Sequence, residues 1–246
     1  PYKKKIYKLP SFEKQIIYIF KTILFLIRKI SFKFLNLKLF WNINFYSKKE
    51  KNSHLRIKNP KNGFFADPFI ISKGRDNYCF VEKLDYSENK GKIHLFNLRE
   101  DSYKSLGTVL EEKFHLSYPY IFKVKNNFFM CPESSNINEI RLYKANNFPK
   151  DWVFYKTLIR NISAADTNII YYKNKWWLFS NVDTSKLNEH DSELHIFYSD
   201  KFDSSEWIPH QNNPVIFDAN KARNAGKILQ NNGLFRVYQT QGIGIN

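Results

Sequence analysis

The sequence predicts an all-β protein of propeller architecture, preceded by an amphipathic α-helix. Phe (23) and Tyr (15) are used heavily in a chain of 246 residues, and aromatic side chains favour pleated sheet. From Gly63 onward one layout recurs four times: an acid or small polar residue, an apolar run, a polar Lys/Asn/Gly turn, then a second apolar run. Successive copies start about fifty residues apart, a spacing typical of propeller blades.

The elements follow in chain order. Residues 1–62 carry sixteen Lys and Arg against two Glu, a net of +14, while the rest carries twenty-three basic against twenty-one acidic residues, a net of +2. The basicity therefore belongs to an N-terminal arm. A nearly neutral remainder argues against nucleic-acid recognition, which calls for a basic face. A basic arm suits an anionic surface. From Phe12 to Trp41 the arm is apolar, but Lys21, Arg28, Lys29 and Lys33 interrupt it. That is too many cations for the roughly 20 apolar residues of a membrane span. Lys14, Lys21 and Arg28 are spaced seven apart and form one helical stripe, with Lys29 beside it. The other faces carry Ile16, Ile17, Ile19, Phe20, Ile23, Leu24, Leu26, Ile27 and Ile30. This pattern predicts a helix in the bilayer interface, with residues 12–40 meeting an anionic membrane. A helix docked on the sheets and a true span are the alternatives.

The arm is expected over residues 1–38 and the propeller over 39–246. The chain opens on Pro1 without a Met and stops at "QTQGIGIN". A piece of a longer or processed protein is the expectation, with the propeller cut short at its C-terminal side. Cys79 and Cys131 lie in apolar strand patterns and are expected as buried, reduced thiols. This fits a cytoplasmic protein, peripheral at the inner membrane face.

The four copies are "ADPFIISKGRDNYCFVEK" from Ala66, "SYPYIFKVKNNFFMCPES" from Ser117, "AADTNIIYYKNKWWLFSN" from Ala164 and "NAGKILQNNGLFRVYQTQ" from Asn224. Each reads as a β-hairpin, turning at Gly74–Asn77, Lys125–Asn127, Lys173–Lys175 and Asn231–Gly233. Two further strands follow each of the first three: Lys92–Leu98 and Lys104–Glu112, Glu139–Ala145 and Asp151–Ile159, Glu193–Asp200 and Glu206–Ile216. The count is three blades and the first hairpin of a fourth.

In a propeller the first strand of each blade lines the axis. Asp67 and Asp166 open such strands and should converge there. Glu82 and Glu133, each fifteen residues after the opening position of its copy, should lie close by. Acids converging at a cavity mouth make a candidate site. Crowded carboxylates push one proton affinity up and create a general acid. The plainer readings are a local cap for Asp67, a turn closed onto Thr167 or Asn168 for Asp166, and a Lys83 ion pair for Glu82. Arg223, just before the fourth inner strand, could face these acids or a phosphate. Gln239 and Gln241 could bond sugar hydroxyls. Tyr118, Trp176 and Trp177 offer stacking faces, although strand alternation sends the two indoles to opposite sides. Of six histidines none has a paired metal-ligand spacing, so no metal or cofactor is expected. His115, which precedes a channel strand, is the one worth testing.

The stretches "FFADPFII…FVEK", "SYPYIF…FFMCPESS", "FPKDWVFYKTLI", "AADTNIIYYKNKWWLFSN", "ELHIFYS", "WIPHQNNPV" and "ARNAG" together resemble the N-terminal domain of plant glucosamine inositolphosphorylceramide transferases. The resemblance runs from about Leu39 to the end. It implies a five-bladed propeller similar to arabinanases, invertases and levansucrases, which use three acids around the axis. It makes Asp67 a nucleophile or base, lets Glu133 donate a proton, and leaves Asp166 to replace an acid absent at Ser117-Tyr118-Pro119. Glu82, Tyr118, Arg223, Gln239 and Trp176 would bind substrate. The resulting expectation is a carbohydrate-active propeller in glycan or glycolipid assembly, as a glycosyltransferase or a domain associated with one. A non-catalytic glycan-binding module and a furanosidase-type hydrolase are the alternatives.

Overall fold

The computed structural model describes residues 9–35, 38, 40–46 and 54–240. They fall into two units, a helical arm and a β-rich unit that begins at Phe40. In the arm, α1 runs Phe12–Phe34. The Ser11 carbonyl accepts the Gln15 amide, and Glu13 in the first turn complements the helix dipole. Ile16, Ile19, Ile23 and Ile30 are exposed along it. The side chains of Lys29 and Lys33 lie outside the described residues. No helix among those residues is long and apolar enough to cross a membrane.

The β-rich unit opens with a small antiparallel sheet that the sequence did not predict, β1 (Ile43–Tyr46) on β2 (His54–Ile57). The first blade follows as β3 (Gly63–Lys73), β4 (Asp76–Asp85), β5 (Lys90–Leu98) and β6 (Tyr103–Leu110), paired in that order. The second is β7 (Ser117–Val124), β8 (Asn127–Glu133), β9 (Glu139–Asn147) and β10 (Asp151–Arg160). The third is β11 (Ala164–Tyr172), β12 (Lys175–Val182) and β13 (Glu193–Ser199). Its outer edge differs from the single strand expected over Glu206–Ile216. Two short pieces, β14 (Ile208–Pro209) and β15 (Ile216–Phe217), each pair with β13. Pro209 and Pro214 have no N–H for a ladder. The Asn213 side chain fills part of the gap, accepting the Ile196 amide and donating to the Ile196 carbonyl. A fourth hairpin, β16 (Leu229–Gln230) with β17 (Leu234–Phe235), is extended by an Asn224–Tyr238 bridge.

Alternate faces of the strands feed three apolar layers. Ile43 and Ile57 close one face of the first blade over Phe65, Cys79, Val81 and Phe96. Phe80, Ile93 and Leu95 meet Ile121, Met130 and Tyr143 between the first and second blades. Tyr120, Phe129 and Cys131 meet Ile169, Leu178 and Phe197 between the second and third. Both cysteines are buried and free, and burial pushes the Cys79 thiol up to about 12.

Candidate functional site

Each inner strand is broken at the same repeat position. In β3 the pairing jumps from Ala66–Glu82 to Phe69–Phe80, in β7 from Ser117–Glu133 to Tyr120–Cys131, and in β11 from Ala165–Asn181 to Asn168–Phe179. Two residues therefore oppose one, which is a β-bulge, a device that re-aims side chains beside active sites. The first bulged residue is left-handed each time: Asp67 (φ 50°), Tyr118 (φ 45°) and Asp166 (φ 51°). Pro68 and Pro119 occupy the second place, where no ladder donor is needed. A left-handed non-glycine residue costs about 1–2 kcal/mol. Three at one repeat position mark a site that the surrounding contacts hold in place.

Tyr118 touches all four repeats. Its amide donates to Asp67 Oδ2 (3.2 Å) of the first blade. Its hydroxyl donates to the Gly226 carbonyl (3.0 Å) of the fourth repeat and accepts Asn168 Nδ2 (3.1 Å) of the third. The ring packs edge-on against Phe69, with centroids 4.8 Å apart. Tyr118 is thus a strut across the axis, with its ring edge against Phe69.

Asp166 is buried, and its Oδ2 accepts Arg223 Nε at 2.8 Å. The guanidinium reaches on to Asp191 Oδ1 at 2.7 Å. So Arg223 faces acids, one of which, Asp191, the sequence had not singled out. The Asp166 carbonyl accepts the buried Asn224 side chain at 2.8 Å. Burial pushes the Asp166 carboxyl up, Arg223 opposes this, and the charges of Glu133 and Asp67 add to the rise. Burial alone would lower the Arg223 proton affinity, but its two carboxylates hold the guanidinium charged.

Asp67 is pushed up to about 7, first by burial and then by the charges of Glu82 and Glu133; the Tyr118 amide and Arg223 pull the other way. The predicted acids are therefore one electrostatic cluster. Glu133 pairs in register with Ser117 and accepts Ser135 Oγ at 2.8 Å. Glu82, opposite Ala66, meets His115 Nε2 at 3.1 Å rather than Lys83. His115 Nδ1 accepts the Gly91 amide at 3.0 Å, so the ring proton sits on Nε2 and points at Glu82. Burial lowers the His115 proton affinity, but the Glu82 bond and the nearby acids raise it overall.

A cavity of ≈ 310 Å³ opens at Asp67. Tyr118, Gly226 and Gln239 share its wall with Trp41, Asn42 and Asn44, which precede the first blade. Gln239 donates Nε2 to the Asn224 carbonyl at 2.9 Å. Gln241 lies outside the described residues. Trp176 is not brought to this cluster. It sits by the hairpin turn of its blade against Phe122, Tyr171 and Phe202. Trp177 is on the other face, against Tyr198. Among the described residues no group of His, Cys, Asp and Glu is arranged to hold a metal ion. Trp41, Asn42 and Asn44 escaped the sequence reading because they lie outside the repeat; the hint the sequence offered was a tryptophan at the end of the basic arm.

In fold, the chain resembles a GH43 β-1,3-galactosidase (TM-score 0.57, 9% identity, 76% of this chain and 44% of that one). It also resembles a family 117 glycoside hydrolase from Zobellia galactanivorans (TM-score 0.51, 15% identity, 63% and 57%). This is the five-bladed propeller class. In sequence, it is 36% identical over 171 residues to glucosamine inositolphosphorylceramide transferase 1 of Oryza sativa subsp. japonica. That match covers 68% of this chain and 23% of the relative. The Arabidopsis thaliana protein of the same name is 31% identical over 184 residues, covering 73% and 24%. The chain thus spans about a quarter of the length of these relatives. Residues 52–245 match the family model described as glucosamine inositolphosphorylceramide transferase 1, N-terminal. The chain belongs to that family.

Proposed function

We propose that the chain is a carbohydrate-active propeller that works in glycan or glycolipid assembly by glycosyl transfer, with its acid cluster at the saccharide. One observation carries this reading. Asp67 opens onto a cavity of a size that takes small ligands, and its carboxyl is held at about 7. A group near neutrality serves as general acid or base. Glu133 is the second carboxylate, able to support charge on a reacting sugar. Asp166, closed by Arg223, orients the cluster rather than exchanging a proton. The relatives' name, glucosamine inositolphosphorylceramide transferase 1, supports a transferase setting, although it describes much longer proteins. The basic face of the arm suits a peripheral position on an anionic, cytoplasmic membrane face, which sedimentation with phosphatidylserine vesicles tests.

The experiment is Asp67→Asn, assayed for sugar transfer from nucleotide sugars to glycan and lipid acceptors. The reading expects activity to fall at least 100-fold with the fold intact by circular dichroism. Unchanged turnover removes the catalytic role. The closure of Asp166 by Arg223 also favours a second reading, a glycan-binding module without chemistry. In that case sugar binding survives loss of single acids. A furanosidase would release free sugar without any nucleotide donor.

A further inference from the structure

The cavity at Asp67 is not built by the blades alone. Residues 41–44, which precede them, form one wall of it. Trp41 is 63% exposed there, so its indole is accessible to a ligand at the cavity. Its backbone is fixed, since the Trp41 carbonyl accepts Asn59 Nδ2 at 2.6 Å, and Asn59 Oδ1 accepts the Phe65 amide of β3. Asn42 is held as well, accepting Arg56 Nη2 at 2.6 Å from the neighbouring strand β2. Buried Ile43 and Ile57 pin β1 to the first blade. The indole and the exposed Asn44 are therefore presented by rigid backbone at the mouth of a cavity with Asp67 in its wall.

The chemistry of the lining selects its ligand. Among the described residues that line the cavity there is an indole, three amide side chains, a phenol and one carboxyl, and no Lys, Arg or His. The Arg223 guanidinium is bonded to Asp166 and Asp191, and the Arg56 guanidinium to Oδ1 of the lining residue Asn42. Asp67 also senses the negative charges of Glu82 and Glu133. Among the described residues a phosphate placed here would meet the Asp67 carboxyl, while the guanidinium groups of Arg56 and Arg223 are already engaged by Asn42 and by Asp166 and Asp191, which costs it binding free energy. An uncharged sugar ring suits it: its C–H face stacks on an indole, and amides bond its hydroxyls in both donor and acceptor senses.

We propose that this cavity takes a single uncharged saccharide ring, stacked on Trp41 and bonded by Asn42, Asn44 and Gln239. In a transfer reaction it is therefore the subsite of the saccharide rather than of a phosphate-bearing donor. The proposal rests on the carbohydrate reading above and assigns residues 41–44 as its specificity-determining wall.

Saturation-transfer NMR on the 246-residue chain tests it, using methyl glycosides of glucose, galactose, mannose and N-acetylglucosamine beside the corresponding sugar 1-phosphates. At least one methyl glycoside should bind, and its 1-phosphate should bind at least tenfold more weakly. Trp41→Ala should weaken that glycoside at least tenfold and Asn44→Ala about threefold, with Trp41→Phe recovering part of the loss. Unfolding midpoints should not move, because both side chains are exposed. If glycoside binding survives Trp41→Ala but is lost in Asp67→Asn, the proposal falls and the carbohydrate reading stands. Equal or tighter binding of the 1-phosphates also overturns it. If the native chain binds no glycoside, both fall.

Discussion

Asp67→Asn separates charge from shape at the axis, and its effect on stability can be worked from the structure. Unfolded, the Asp67 carboxyl titrates near 3.8; folded, it titrates at about 7, because burial and the charges of Glu82 and Glu133 disfavour the carboxylate. Between these values the folded chain holds a proton that the unfolded chain has lost. Stability from this group is full below the unfolded value and is lost as pH rises through about 7. Each tenfold difference in proton affinity is worth ~1.4 kcal/mol, so ionising Asp67 in place costs about 4 kcal/mol in all. Going from pH 5 to pH 8.5 should cost the native chain about 2–3 kcal/mol through this residue.

The asparagine variant keeps an oxygen to accept the Tyr118 amide, which Asp67 accepts at 3.2 Å, but it cannot ionise. Urea unfolding followed by tryptophan fluorescence at pH 5 and pH 8.5 gives the comparison. The native chain should lose about 2–3 kcal/mol more than the variant between the two conditions, and Asp67→Asn should be the more stable protein at pH 8.5. The Asp67 charge also raises the proton affinities of Asp166 and His115, so the difference between the two proteins reports Asp67 together with its coupling to these groups. Equal pH dependence in the two proteins would show that Asp67 ionises at an ordinary carboxylate pKa, and the argument for a poised acid would fail with it.

Two further outcomes test the frame that holds the acids. Tyr118→Phe removes the hydroxyl that meets the Gly226 carbonyl and fully buried Asn168; it leaves the Asn168 amide its longer bond to the Asp166 carbonyl at 3.4 Å and should cost about 1–3 kcal/mol in urea unfolding. Gly91→Ala would press a methyl into the Leu116 carbonyl and to within 2.8 Å of His115 Nε2 and 2.9 Å of Glu82 Oε1. It should cost about 1–3 kcal/mol and shift the His115 imidazole resonances, whereas unmoved resonances would mean that the His115–Glu82 contact is not set by this close approach.

The blades were legible because period-2 apolar runs and polar turns are local signals, repeated often enough to fix register. The meeting of Asp67 and Asp166 followed from repetition alone, since equal positions in equal units face one axis. What stayed hidden depends on tertiary contact. β1 and β2 are four residues each and lie in a Lys-rich stretch without periodicity, so only Ile43 and Ile57 packing on the first blade makes them strands. The split outer edge of the third blade hinges on Pro209 and Pro214, visible in sequence but read through. The Glu82–His115 contact joins residues thirty-three apart, and Lys83, next in sequence, was the nearer but wrong partner because strand alternation turns it to the other face. Trp176 shows the converse ambiguity, since an aromatic at an inner hairpin reads equally well as platform or as packing, and its ring neighbours are Phe122, Tyr171 and Phe202.

The three left-handed bulges share a backbone and differ in what closes them. At Asp166 the carboxylate is shut by Arg223 and buried. At Tyr118 the position is filled by a side chain that spans the axis. At Asp67 the carboxyl accepts one backbone amide and otherwise faces the cavity. The same strained geometry is therefore spent on a lock, a strut and an open acid. A hydroxyl strut in place of a third acid also limits the negative charge gathered at the axis, where Asp67 already feels Glu82 and Glu133. Among the described residues the cavity at Asp67 is walled in part by Trp41 and Asn44. Ligand recognition then falls to residues 41–44 and proton exchange to Asp67, and substitutions at residues 41–44 should alter binding without moving the pH dependence that Asp67 sets.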